Sequence, residues 1–276
     1  MKKILWLTII MIPAITLAQP KVPVNQWRDK TIMLMAAHPD DDARSHGTLA
    51  MLHENGNKVY VVMITSGNVG TKDLNISRTD LAKIRMKEEI DALAELGIPA
   101  DHYINLGYTD GMLEYEPRRE VAEKLVRLIR QYKPDVLMAF DPGKGTVRWH
   151  KADHRTACHM AIDACRAAEW HLLFPGQIIN EGLEAHAVSE YLLFDCFPET
   201  YNTFVDVTAY ADKKINAALK YVSQWSSGNK KYTGASLSPE EEKQIREMRK
   251  KYTYNEEGKA IEKFRYYKGS PDGIGR

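Results

Sequence analysis

Apolar residues fall along this chain in two alternating rhythms. Short, nearly continuous apolar runs over 31–37, 58–65, 102–106, 135–140 and 189–194 predict β-strands, and their lack of polar alternation predicts that both faces are covered. Between them the period lengthens to that of a helix. One helix is predicted over 80–96, with Ala82, Met86, Ile90 and Leu93 as its core stripe and Gly97 as its C-cap. A second is predicted over 119–132, with Val121, Leu125, Leu128 and Ile129 inward and Pro134 just past its end. A third starts near Ala152 and carries Ala157, Ala161, Cys165 and Ala168. Strand and helix in alternation predict an α/β fold, a Rossmann-like, largely parallel sheet with helices on both faces.

The last third is predicted to be mainly structural. A helix over 209–225 presents Ile215, Leu219 and Val222, and Ser238-Pro239-Glu240-Glu241 is a helix start with an N-cap serine and a capping-box glutamate. Tyr266-Tyr267 and the glycine-rich end, Gly269 to Arg276, either fold over a cleft or fray, and fraying is expected for the last six or so residues.

Chemistry concentrates just after the first strand, at His38-Pro39-Asp40-Asp41-Asp42. Three carboxylates this close repel one another, and desolvating them is costly unless a cation or a set of donors compensates. A divalent metal is the simplest compensator: His38 and a carboxylate three positions on can face one ion, leaving a neighbouring carboxylate as a base. A second cluster, Trp149-His150-Lys151-Ala152-Asp153-His154-Arg155, stands at the start of the third helix. Alone, each cluster also reads as ordinary structure, a turn or a helix cap. Together they form a His/Asp/His set, and three protein ligands with a fourth position open is the pattern of catalytic zinc.

The loops agree. Residues 38–42, 66–70, 107–111 and 141–154 each follow a predicted strand and converge on one sheet edge, where open α/β sheets bind ligands. Gly67 and Gly70 do not form a dinucleotide fingerprint, so tight turns that let a ligand approach are the expectation.

Ala37-His38-Pro39-Asp40-Asp41 followed by an acidic residue, with the later Asp153-His154 pair, resembles the LmbE-like (PIG-L) family of zinc-dependent N-acetylglucosaminyl deacetylases. The similarity covers most of the chain after its first residues. It extends to Thr65-Ser66-Gly67-Asn68-Val69-Gly70, Arg85-Met86-Lys87-Glu88, Leu106-Gly107-Tyr108-Thr109-Asp110-Gly111 and Ile261-Glu262-Lys263-Phe264.

The resemblance implies one Zn2+ held by His38, Asp41 and His154, with Asp40 as general base and Arg85 and Asp110 holding the sugar. Asp42 and Asp153 would orient the ligands from behind. In the family a histidine two residues before the Asp-His pair steadies the oxyanion, but here His150 lies one residue further away and Lys151 occupies that place. His150, reaching in through a one-residue bulge, is the favoured candidate; Lys151 is the alternative. The implied reaction removes an acetyl group from an N-acetylated amino sugar or glycoside, a small molecule or a glycan. A related metal-dependent amidase or esterase on another acyl substrate, a zinc-containing glycan-binding protein without turnover, and a metal-stabilised structural module are the competing readings.

Composition narrows the field. The chain has 276 residues, 44% hydrophobic and 27% charged, with a formal net charge of +1, so no global field recruits nucleic acid. No linker divides it, and residues 19–276 are expected to be a single domain. Arg249-Lys250-Lys251 beside Glu240, Glu241 and Glu242 reads as a solvated helix face. Lys2-Lys3, an apolar stretch over 4–17 and Ala18 read as a signal peptide, 1–18, cleaved after Ala18. Export to the periplasm or beyond follows, with a retained anchor as the alternative. No other stretch nears the ~20 apolar residues of a membrane span. Cys158 and Cys165 lie two helical turns apart, about 10 Å, too far for a disulfide, and the three cysteines are expected to be reduced and buried.

Overall fold

The computed structural model describes residues 19–143, 151–234 and 236–269. In chain order the elements are β1 (Thr31–Ala36), α1 (His46–Glu54), β2 (Lys58–Thr65), α2 (Arg78–Leu96), β3 (Tyr103–Tyr108), α3 (Arg118–Tyr132), β4 (Val136–Phe140), α4 (Ala152–Ala168), α5 (Pro175–Ile179), β5 (Glu190–Phe194), β6 (Thr203–Asp206), α6 (Ala211–Ala218), α7 (Ser226–Lys230), α8 (Pro239–Thr253) and β7 (Ile261–Lys268).

The seven strands form one sheet in the order β3-β2-β1-β4-β5-β7-β6. The first five are parallel, with Thr31 opposite Lys58 and Ile32 opposite Val136. Each of these strands was expected from its apolar run, and side chains alternate between two buried layers. Ile32, Leu34 and Ala36 point into one core with Leu49, Val61 and Leu93; Met33, Met35 and Ala37 point into the other with Val121, Leu125 and Ala161. Helices α1 and α2 therefore cover one face and α3 and α4 the other, as the largely parallel reading requires.

Three expectations are corrected. The two strands β6 and β7 were not anticipated; β7 runs antiparallel between β5 and β6, so Tyr266 and Tyr267 belong to the sheet and not to a flap over the cleft. The helix expected over 209–225 ends at Ala218 and resumes only as a short 3-10 turn, Val222–Gln224. On α2 the buried positions are Leu81, Arg85, Glu88, Glu89, Ala92, Leu93 and Leu96, whereas Met86 is exposed. Other local readings hold: Gly97 closes α2 at φ 87°, and Ser238 caps α8 by accepting the Glu241 amide. All three cysteines are buried and free. Among the described residues no helix is long and apolar enough to cross a membrane. The 1–18 segment, His150 and residues 270–276 lie outside the described residues.

The strand order reverses between β1 and β4. Loops leaving neighbouring strands on opposite sides of that point splay apart and leave a crevice at the carboxyl edge. The loop after β1 carries His38 to Asp42 and the segment after β4 leads to α4 with Asp153 and His154, so the two sequence clusters flank the crevice.

Candidate active site

His38, Asp41 and His154 converge although 116 positions separate the first from the last, since β1 and β4 are neighbours. His38 Nδ1 lies 3.4 Å from Asp41 Oδ2, and His154 Nε2 lies 3.2 Å from Asp41 Oδ1. Backbone donors fix the aspartate: its Oδ2 accepts the amides of Ala37 (3.1 Å) and His38 (2.8 Å). Phe140, the last residue of β4, stacks on the His154 ring at 4.4 Å and sets its plane.

The other nitrogen of His38 faces acids as well, with Asp110 Oδ1 at 3.0 Å and Asp153 Oδ2 at 3.1 Å. Asp153 is itself clamped, accepting the amides of Gly111 (2.7 Å) and Leu113 (3.1 Å). Burial works against a charged His38, but its hydrogen bonds to Asp110, Asp153 and Asp41 overcome this and push its pKa up to about 11. Burial would raise Asp41, yet His154 and His38 hold its carboxyl well below the usual range. This is a site with more carboxylate than its own cations balance.

A divalent ion fits that donor set. Among the described residues two sets of groups are close enough to hold a metal, His38/Asp41/His154 and His38/Asp110/Asp153. The first is the better arrangement. Ligands about 2.0–2.1 Å from a tetrahedral ion stand roughly 3.4 Å apart, close to the separations within that set. It also leaves His38 Nε2–H to donate to Asp153, the carboxylate–histidine pairing that orients metal-bound histidines. Asp153 thus lies directly behind His38, one of the candidate ligands.

Asp40 sits apart from the ligand set and is gripped by α2. Its backbone is left-handed, φ 101°, a conformation costly for any residue but glycine. Glu89 Oε2 accepts its amide at 2.9 Å, and Arg85 Nη2 donates to its Oδ2 at 2.7 Å. Burial, opposed by Arg85 and reinforced by Asp41 and Asp42, raises the Asp40 carboxyl to about 6. Its side chain remains 32% exposed, so a substrate can reach it.

Arg85 is placed differently from the expectation that it holds sugar. It is 3% exposed, and its guanidinium donates to Pro39 O and Gly67 O as well as to Asp40. Gly67 is required there: at φ 60° an added Cβ would lie 2.4 Å from Arg85 Nη1. Asp42 is also corrected. It is fully buried and turned away from the ligands, pairing with His46 Nε2 (3.0 Å) and accepting from the Tyr221 hydroxyl (3.3 Å). Asp110 lies at the crevice mouth, its Oδ2 accepting the Val69 amide at 3.4 Å. Lys151 immediately precedes α4 and is exposed, outside the dry surroundings an oxyanion-stabilising ammonium needs. Glu89 was missed by sequence reading; its signal was an acid four positions from Arg85, on the same helix face.

A buried His/Asp cluster and a separately held carboxylate at the switch point of a mostly parallel sheet have the makings of a hydrolytic site on a Rossmann-like fold. Residues 33–165 match the family model described as PIG-L, GlcNAc-PI de-N-acetylase. It is 29% identical over 197 residues to a diacetylchitobiose deacetylase of Thermococcus kodakarensis, covering 71% of this chain and 70% of the relative. It is 28% identical to a 1D-myo-inositol 2-acetamido-2-deoxy-alpha-D-glucopyranoside deacetylase of Catenulispora acidiphila, covering 78% and 82%. The solved N,N'-diacetylchitobiose deacetylase from Pyrococcus horikoshii superposes with a TM-score of 0.72 at 27% identity, covering 89% of this chain and 86% of that one.

Proposed function

We propose that this chain is a zinc-dependent N-deacetylase that hydrolyses the acetamide of an N-acetylglucosamine-containing glycoside. The observation that carries the reading is the separation of roles around His38: three residues fit a metal, while Asp40, held by other partners, keeps an exposed carboxylate beside them. The family match and the relatives, all named as deacetylases of acetylated glucosamine derivatives, support the same substrate kind.

When bound, zinc would supply Lewis-acid polarisation of the amide carbonyl and of water. The chain's own residues do the rest. Asp40, with a pKa raised to about 6, is mostly ionised at neutral pH yet basic enough to accept a proton from the attacking water and return one to the leaving amine. Asp110, at the mouth, is placed to accept a sugar hydroxyl. Asp153 keeps His38 in one tautomer and orientation. His150 is the proposed oxyanion donor. The leader over 1–18 supports export, so the substrate would be met outside the cytoplasm.

The test is metal content of the purified protein together with acetate release from N-acetylglucosamine, its methyl glycoside and diacetylchitobiose. About one zinc per chain and release that a chelator abolishes are expected. A zinc-loaded protein that deacetylates none of them would refute the proposal in favour of a glycan-binding role.

A further inference from the structure

Between the loop after β2 and the first turn of α2 lies a cavity of about 460 Å³ that the chemistry above does not use. It adjoins the cluster directly, since Asp110 belongs to both: its Oδ1 is 3.0 Å from His38 Nε2 and its side chain forms part of the cavity wall. Leu81, 1% exposed, and half-buried Ile76 line it, while Val69 and Met112 stand beside it 49% and 46% exposed. Apolar surface left facing water at the mouth of a site is surface that a ligand can cover.

Three of the polar side chains around this cavity are engaged within the chain, while Arg78 stands exposed at its rim. Asn68 Oδ1 accepts the Asp110 amide at 3.1 Å. Thr71 Oγ1 donates to Asn229 O (3.2 Å) and accepts the Asp73 amide (3.1 Å). Ser77 Oγ donates to Asp80 Oδ2 (2.6 Å) and accepts the Asp80 amide (3.1 Å). Among the described residues no aromatic ring lines the cavity to stack on a pyranose face. A second sugar would need ring-stacking surface, whereas an apolar group needs only the contact that the aliphatic side chains Val69, Ile76, Leu81 and Met112 supply.

We propose that this cavity is the aglycone site and that the substrate is an N-acetylglucosaminide whose anomeric substituent is apolar, an aryl or medium-chain alkyl group. The inference rests on the deacetylase reading and narrows it. Binding energy gathered remotely from the acetamide is available to the reacting centre, so the preference should appear in kcat/KM.

The experiment compares kcat/KM for acetate release from the methyl, 4-nitrophenyl and octyl glycosides of N-acetylglucosamine and from diacetylchitobiose. The aryl and octyl glycosides should exceed the methyl glycoside by on the order of 10- to 100-fold, the scale of a few methylenes in an apolar pocket. The disaccharide should stay within a few fold of methyl. Val69→Ser and Met112→Ser together should bring the octyl-to-methyl ratio close to one. A disaccharide preferred over octyl, equal rates for methyl and octyl, or a ratio unmoved by the double substitution would each overturn the proposal. Octyl glucoside, which has no acetamide, separates the two readings by calorimetry. If it binds the wild type but not the double variant while no glycoside releases acetate, the deacetylase reading fails; if it does not bind, the apolar site fails.

Discussion

Replacing Arg85 by Met removes a buried cation of similar length and tests whether this arginine serves the base or the sugar. The Asp40 carboxyl stands at about 6 because burial raises it while Arg85 opposes the rise. With that value roughly nine-tenths of Asp40 is ionised at pH 7. An adjacent arginine holds an aspartate down by about 1–3 in pKa. Losing one to two of these would place Asp40 near 7 to 8 and leave roughly a half to a tenth ionised. The base works only when deprotonated, so the sign is fixed: the acid limb of kcat should move to higher pH and activity should return as pH rises. Protonation alone predicts a fall of about 2- to 10-fold at pH 7, shrinking toward pH 9. Freed from Arg85, the side chain also loses its fixed orientation, so some loss persists at every pH. A bound divalent cation would lower Asp40 in both proteins, which makes the displacement between the two kcat profiles the quantity to read. Arg85→Lys, which keeps a charge but not the fork that reaches Pro39 O, Gly67 O and Asp40 together, should fall between them. An unmoved acid limb with a raised KM would refute this reasoning and return Arg85 to the sugar.

Four further outcomes are expected. His38→Ala, Asp41→Asn and His154→Ala should each strip the metal, measured by elemental analysis, and full occupancy in any of them would remove that residue from the ligand set. Asp40→Asn should keep the metal and lose about 10²–10⁴-fold in kcat, the usual worth of a general base; near-normal turnover would place the base elsewhere. Glu89→Leu should lower kcat with little change in KM, because the left-handed turn at Asp40 loses its amide acceptor, whereas Glu89→Gln, which still offers a carbonyl oxygen, should recover most of it. Equal damage in both would mean that charge matters and the hydrogen bond does not. Finally, His150→Ala should cost on the order of 10²-fold in kcat and Lys151→Ala little, and the reverse order would assign the oxyanion to the lysine.

Strands β1, β2, β4 and β5 were legible because they are largely buried on both faces and so read as nearly unbroken apolar runs. The antiparallel edge was not. Strand β7, Ile-Glu-Lys-Phe-Arg-Tyr-Tyr-Lys, carries charged side chains that are buried all the same: Glu262 accepts the amides of Gly47 and Thr48 at the start of α1, and Arg265 pairs with Asp141. These partners are remote in sequence, so nothing local marks the stretch as interior. The break in the helix expected over 209–225 is hidden for a related reason. No glycine or proline interrupts the pattern, and the stop at Ala218 is marked by Trp225, whose indole donates to the Ala218 carbonyl at 3.1 Å. Such an end is built by tertiary contact, with no punctuation in the sequence.

Helix α2 shows why the candidate ligands were easier to read than the apparatus behind them. The clusters at His38 and His154 are dense in chemistry over a few residues, and their density was the signal. On α2 an apolar stripe through Ala82, Met86, Ile90 and Leu93 looked like the core face because these residues recur at helical spacing. The buried face instead carries Arg85, Glu88 and Glu89 between Leu81 and Leu96, and Met86 is 44% exposed. Each charge is matched from elsewhere in the chain: Arg85 by Pro39, Gly67 and Asp40, Glu88 by the amide and hydroxyl of Ser223, Glu89 by the Asp40 amide. Burial pushes Glu88 up to about 7 and Glu89 well above its ordinary range, so this face is expensive to desolvate. Core packing alone would favour leucine at these positions. A helix that buries an arginine and two glutamates on its inner face, while turning a methionine to water, is shaped by what it must hold, and here it holds Asp40.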